Sequence, residues 1–196
     1  MGKNIRKNIK TRKNIKTRKY RNKKSIGGVK TYTLDGTITE DPKILHDGKD
    51  FFRKMTNNQI EIELCKSLMA NPHKNIIKIY YIGNNYIDME LVNVDITDTS
   101  KIKDVMIEVK TYLQSLGIMY IDWKLDNIGI SDDGQIKLFD FDGSGLINIK
   151  TKNWLIKPPN WWSYKNAIEN GMVTPNEIDN YAFENSNFSV KLMKNG

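Results

Sequence analysis

The feature that most constrains this chain is the stretch Tyr120–Gly145, YIDWKLDNIGISDDGQIKLFDFDGSG, where six Asp residues sit among Ile, Leu and Phe. Taking a carboxylate out of water beside apolar side chains is costly unless something positive meets it. The fold must therefore either turn these acids outward in loops or converge several of them on a cation. Spacing points to convergence. Asp122 and Asn127 stand five apart in a D-x-K-x-x-N arrangement, and Asp140 follows Asn127 by thirteen. NIGI and QIKLFDF read as two strands joined by the turn Asp132-Asp133-Gly134, so a loop feeding that hairpin can bring all three to one end of it. Converging carboxylate and amide oxygens suit Mg²⁺, which keeps phosphate and water as its other ligands. Lys124 can then neutralise charge on a transferring phosphoryl group, and Asp122 can accept or orient a hydroxyl proton. Asp126, Asp132 and Asp133 read as a helper and ordinary turn residues.

Upstream, VKTYTL, KILH and DFFRKM read as short strands, with Asp35-Gly36 and Asp47-Gly48 as hairpin turns. TNNQIEIELCKSLMA follows as a helix, with Thr56 and Gln59 as a capping box and Ile60, Leu64 and Leu68 on one stripe. NIIKIYYIG and NYIDMELV are strands joined at Gly83-Asn84-Asn85. SKIKDVMIEVKTYLQSLG is the clearest helix. Its stripe is Ile102, Val105, Met106, Val109, Tyr112, Leu113 and Leu116, with Ser100 or Asp98 as cap and Gly117 as terminator. Trp154, Trp161 and Trp162 read as core or interface cover, and His46 and His73 carry no metal-site pattern. A strand-rich first half and a helical second half give α+β.

The net charge of +8 is an uneven sum. Residues 1–24 hold twelve Lys or Arg and no acid, while the remainder holds nineteen basic residues against all 23 acidic ones. The arm repeats KNIKTR at Lys7–Arg12 and Lys13–Arg18. It has too few apolar residues for a core, so disorder is expected there, with attraction to nucleic acid or an acidic protein. A solubilising or targeting tail is the plainer alternative. No apolar run is long enough to cross a bilayer or reads as a signal peptide. The single Cys65 cannot close an internal disulfide, which fits a reducing compartment.

The stretch Tyr120-Ile121-Asp122-Trp123-Lys124-Leu125-Asp126-Asn127, followed by Asp140-Phe141-Asp142, resembles the catalytic and metal-binding loops of eukaryotic-type protein kinases. The resemblance implies Asp122 as catalytic base and Lys124 as phosphate contact, the latter a serine/threonine-kinase pattern. It also implies Asn127 and Asp140 as ligands of Mg²⁺ or Mn²⁺. GKDFFRK is similar to the strand bearing the ATP-binding lysine, here Lys54, with Phe52 on the same face and Arg53 pointing away. EIELCKSL is similar to the helix whose glutamate pairs that lysine. The resemblance implies Glu61 in that role; Glu63 lies about 200° further round, so only one of the two can face the cleft. YIDMELV resembles the strand entering the hinge, with Met89 as gatekeeper and Glu90 to Val92 offering backbone groups to adenine. TPNEIDNYAF resembles a later helix with a buried Asp, here Asp179.

The implied architecture is a basic arm (1–24), a small antiparallel-sheet N-lobe with one helix and the hinge (25–92), and a truncated helical C-lobe (93–196). The implied function is ATP- and Mg²⁺-dependent transfer to protein Ser/Thr hydroxyls, in the cytoplasm or nucleus of a host cell or in a virion, with no membrane association. A partner completing the C-lobe is a further expectation. Such minimal kinases resemble those of large DNA viruses, and the Asn/Ile/Lys-rich composition suits an AT-rich genome. Departures are equally specific. Tyr120 and Ile121 replace His and Arg, Asp142 replaces a Gly, and only Gly36 or Gly27-Gly28 could cover phosphates in place of a Gly-rich loop. They keep open a pseudokinase acting as a scaffold, and a small-molecule phosphotransferase.

Overall fold

The computed structural model describes residues 22–26, 29–33, 46 and 50–188. Strands β1 (Asn22–Ile26) and β2 (Val29–Thr33) pair antiparallel, with Ile26 opposite Val29. β2 runs parallel to β3 (Phe51–Met55), with Thr31 opposite Phe51. Beyond β3 the sheet continues antiparallel through β4 (Ile79–Ile82) and β5 (Tyr86–Glu90), in the order β1-β2-β3-β5-β4.

Two expectations change here. One of the four pairings is parallel, and a parallel pair needs a crossover rather than a tight turn. The seventeen residues between β2 and β3 are long enough for one. Residues 22–24, which composition assigns to the arm, belong to β1. The Asp35-Gly36 and Asp47-Gly48 turns, and the KILH strand apart from His46, lie outside the described residues, as does the arm before Asn22.

Alternation along β3 works as the sequence implies. Phe51 and Arg53 are buried on one face, and Phe52 and Lys54 turn to the other. Helix α1 (Gln59–Ala70) buries Glu61, Ile62, Leu64, Cys65 and Leu68. Its cap is Asn58, not Thr56: the Asn58 carboxamide oxygen accepts from Ile60 N at 3.0 Å and Glu61 N at 3.4 Å. Thr56 instead accepts from Asn58 N at 3.1 Å, which sets the turn before the helix.

Helix α2 (Ile102–Ser115) starts at Lys101 without a side-chain cap. Asp98 spends its carboxylate on Ser100 N at 2.9 Å, one turn too early to cap it. Packing compensates. Ile102, Met106, Val109 and Leu113 are fully buried, each contributing roughly 1.5–3 kcal/mol, against ~1 kcal/mol for a missing cap. Gly117, at φ +76°, ends the helix in a conformation that costs a glycine nothing.

The chain then makes β6 (Ile118–Met119), a 3-10 turn (Leu125–Asn127), and the antiparallel hairpin β7 (Ile128–Ile130) and β8 (Ile136–Leu138). β9 (Gly145–Ile147) joins β6 and β10 (Trp154–Ile156) in a second antiparallel sheet. Helices α3 (Trp162–Glu169) and α4 (Pro175–Glu184) follow. Thr174 and Glu177 close a capping box at the start of α4, with Pro175 in its first turn. Mixed strands and helices of the α+β kind thus share one core, running from Leu64 and Ile87 through Met106 and Ile118 to Phe183.

Candidate active site

The β7–β8 hairpin decides where the acids meet. Asn127 immediately precedes β7 and Asp140 follows β8 by two residues, so both emerge at the same end. The Asn127 carboxamide donates to both the carbonyl and the carboxylate of Asp122, each at 3.0 Å. Asp122, Asn127 and Asp140 are therefore one neighbourhood, as their spacing implies.

Backbone strain is concentrated at the same place. Ile121 (φ 63°) and Asp140 (φ 69°) occupy the left-handed region, which a β-branched residue such as Ile121 rarely adopts. Asp179 on α4 over-determines the first of these. Its buried carboxylate accepts from Ile121 N at 3.1 Å, Trp123 Nε1 at 2.8 Å and Gln114 Nε2 at 2.8 Å. Burial pushes the Asp179 carboxyl up despite those donors.

Lys54 faces the hairpin end from β3. Its ammonium reaches Glu61 Oε1 at 2.5 Å, Asp140 Oδ1 at 2.7 Å and Asp142 Oδ2 at 3.4 Å. Burial alone would lower its pKa, but the Asp140 and Glu61 carboxylates outweigh burial and hold it well above the ordinary lysine value. Asp140 is correspondingly held low: burial opposes its ionisation and the Lys54 charge overcomes that. Asp142 behaves in the opposite way, its carboxyl pushed up to about 6 by burial and then by the Asp140 charge. Glu61 is buried and its Oε2 has no hydrogen-bond partner. Glu63 points outward and pairs with Lys66 at 2.7 Å. Lys43 and Lys49 lie outside the described residues.

Beside this cluster opens a mainly apolar cleft, partly continuous with solvent, walled by Phe52 and Lys54, by Met89 to Val92, and by Phe139 and Asp140. Met89 is buried at its wall. The Glu90 N–H donates to Lys78 O at 2.8 Å. Its carboxylate meets Lys137 at 3.4 Å. Leu91 and Val92 line the same edge of the cleft. Lys124 is ion-paired with Asp122 rather than turned to the cleft.

Several residues at and around the site carry no signal of their role in the local sequence. In the sequence Asp142 stands only where the kinase pattern has a glycine. Asn58 both caps α1 and donates Nδ2 to Asp142 O at 3.2 Å, tying the Glu61 helix to the Asp140 loop. Gly143 is pressed between Asp122 and the ring of Trp161: a Cβ there would lie 3.0 Å from Asp122 Cβ and 3.3 Å from the indole. Trp161 and Trp162 are 48% and 75% exposed, so they are not core, and Trp154 is half-buried. His46 bonds Asp88 Oδ2 at 2.8 Å on the far face of the sheet, where Arg53 also grips Asp88 at 2.5 and 2.6 Å. Nothing in a lone histidine's local sequence announces such a partner.

No protein-family model matches the chain, and no curated protein matches it. Among the described residues, no helix is long and apolar enough to cross a membrane.

Proposed function

We propose that the chain is a two-lobed, protein-kinase-like phosphotransferase that moves the γ-phosphoryl group of ATP onto Ser or Thr hydroxyls of protein. The observation that carries this reading is the position of Lys54, shared between Glu61 of α1 and Asp140 of the hairpin at the mouth of an apolar cleft. In this reading the cleft side chains Phe52, Met89, Leu91 and Phe139 are the adenine contacts and the Lys54 ammonium is the phosphate contact. Glu61 orients that ammonium, and Asp122 holds a carboxylate ready to take the proton of an acceptor hydroxyl. Lys124 offsets the negative charge beside Asp122.

Among the described residues no three acidic, His or Cys side chains form a metal cage. An ion carried in by the nucleotide needs fewer, and the hard oxygens of Asp140 and Asn127 suit Mg²⁺ or Mn²⁺. When bound, such an ion would neutralise charge on the phosphates.

A second reading has its own observation. Asp142 adds a third carboxylate to Lys54, and that favours a binding module in which the lysine is occupied by the protein itself. Labelled-ATP transfer with Mg²⁺ or Mn²⁺ onto basic proteins and onto small hydroxyl compounds separates the readings. Transfer to protein that drops by about 10³-fold or more in folded Asp122→Asn and Asp140→Asn supports the kinase. Transfer restricted to small compounds moves the assignment to a small-molecule phosphotransferase. Absence of both transfer and nucleotide binding leaves the binding module.

A further inference from the structure

We propose that Asn58 is a positioning residue for phosphoryl transfer: its one carboxamide locks the Glu61 helix to the Asp140 loop, so the site stands assembled without an activating covalent mark; this rests on the phosphoryl-transfer reading above. The carboxamide oxygen accepts from Ile60 N at 3.0 Å and Glu61 N at 3.4 Å, and Nδ2 donates to Asp142 O at 3.2 Å. Turning the amide over would set Oδ1 against the Asp142 carbonyl and Nδ2 against two N–H groups, so the three contacts select one orientation. Asn58 is itself held from the sheet, where Thr56 Oγ1 accepts from Asn58 N at 3.1 Å and Thr56 N donates to Asn85 O at 2.9 Å.

The contacts close a ring. Lys54 joins Glu61 to Asp140, Asn58 joins the first turn of the same helix to Asp142, and Asp142 lies two residues from Asp140. Tyr120 holds both ends of the loop: its hydroxyl donates to Phe139 O at 2.6 Å, and its carbonyl accepts from Ser144 Oγ at 3.2 Å. The two links between helix and loop differ in kind. Lys54 is an ammonium that incoming phosphates also attract, so its hold on Asp140 competes with the nucleotide. The Asn58 bond is neutral and ends on a backbone carbonyl, so phosphate does not draw it away. It is the link suited to keep Asp140, at its left-handed φ of 69°, in place while the lysine changes partners.

Regulation follows from the same chemistry. A phosphate that orders a loop does so best through arginine pairs, and among the described residues Arg53 is the one arginine. It is buried against Asp88 on the far face of the sheet, where it cannot serve the Asp140 loop. Asn58 supplies, by a hydrogen bond of the unmodified chain, the helix-to-loop link that such a clamp supplies after modification.

The test compares the full chain, purified free of phosphate, with Asn58→Asp, Asn58→Ser and Asn58→Ala. Asp and Ser cap a helix as Asn does, but the first has no donor for Asp142 O and the second is too short to reach it; Ala does neither. Amide hydrogen exchange is read without nucleotide or metal, and transfer is read with Mg²⁺ and ATP. In Asn58→Asp and Asn58→Ser the Ile60 and Glu61 amides should keep parental protection while those of Phe141 to Ser144 exchange faster. Their kcat should fall about tenfold, one hydrogen bond expressed as a rate, with the acceptor KM unchanged. Asn58→Ala should lose the Ile60 and Glu61 protection as well, and the parent should transfer without a lag. Parental kcat and loop exchange in both capping variants overturn this inference and leave the kinase reading standing. A loss in Asn58→Asp alone assigns the effect to added charge and also overturns it. Unfolding of both capping variants, or a loss confined to Asn58→Ala, makes Asn58 a structural cap, and a lag in the parent removes assembly without a mark. No transfer by the parent to any acceptor overturns both readings.

Discussion

Lys54 and Asp140, 86 positions apart, meet at 2.7 Å, and Glu61 holds the same ammonium from the other side at 2.5 Å. A strand, a helix and a hairpin end are therefore joined through one cation.

Removing that cation leaves Glu61 buried with no counter-charge. Lys54→Met should abolish nucleotide-dependent transfer and cost about 3–5 kcal/mol of stability, read from denaturant midpoints. Lys54→Met/Glu61→Gln should regain most of the stability and none of the activity. Equal losses in the single and double variants would mean the pair does not hold the cleft together.

The pH response of Asp142 has a definite sign. Its folded pKa, about 6, lies above the ordinary 3.8, so the folded chain holds the proton more tightly. This carboxyl is protonated in both states below about 3.8, and its ionisation weakens folding as pH rises from there to about 6. In metal-free buffer, Asp142→Asn should gain stability relative to the parent across that window and hold the gain above it. Parallel pH curves for the two proteins would remove Asp142 from the cluster.

Asp179 supports the strained backbone at Ile121. Asp179→Ala strands three donors, two of them the buried Ile121 N–H and Trp123 indole N–H, and should cost roughly 3 kcal/mol or more. Trp123 emission should shift to the red, and transfer should fall together with stability. A chain of parental stability would show that Ile121 is held by other contacts.

On the far face of the sheet, Arg53 lies 1% exposed against Asp88 and over the Tyr86 ring at 3.9 Å. Asp88→Ala buries that guanidinium without its carboxylate and should destabilise by about 3–5 kcal/mol, with little change in nucleotide affinity if the chain stays folded. A large loss of affinity in a folded variant would mean the two faces of β3 are coupled.

The arm carries a separate expectation. Random-sequence duplex DNA should bind the full chain at about 50 mM salt and release by about 200 mM. Deleting residues 1–21, which spares β1, should eliminate the binding. Undiminished binding after deletion would locate the polyanion surface elsewhere.

Local periodicity made much of this legible in advance. The two-residue repeat of a strand put Lys54 with Phe52 and opposite Arg53, and the 3.6-residue helical period turned Glu61 inward and Glu63 outward. Hairpin spacing alone brought Asn127 and Asp140 to one end, and the same logic placed the apolar stripe of α2. These relationships depend on residues near one another in sequence, so the chain determines them before it packs. Tertiary structure decided the rest. It set the parallel pairing of β2 with β3, the choice of Asn58 over Thr56 as cap and its bond to Asp142, and the Arg53–Asp88–His46 network. It also set the burial of Asp179 beneath Ile121 and the exposure of Trp161 and Trp162. Each of those depends on which distant surface arrives against a given side chain. Burial and buried charge pairing arise only when segments tens of residues apart exclude water together.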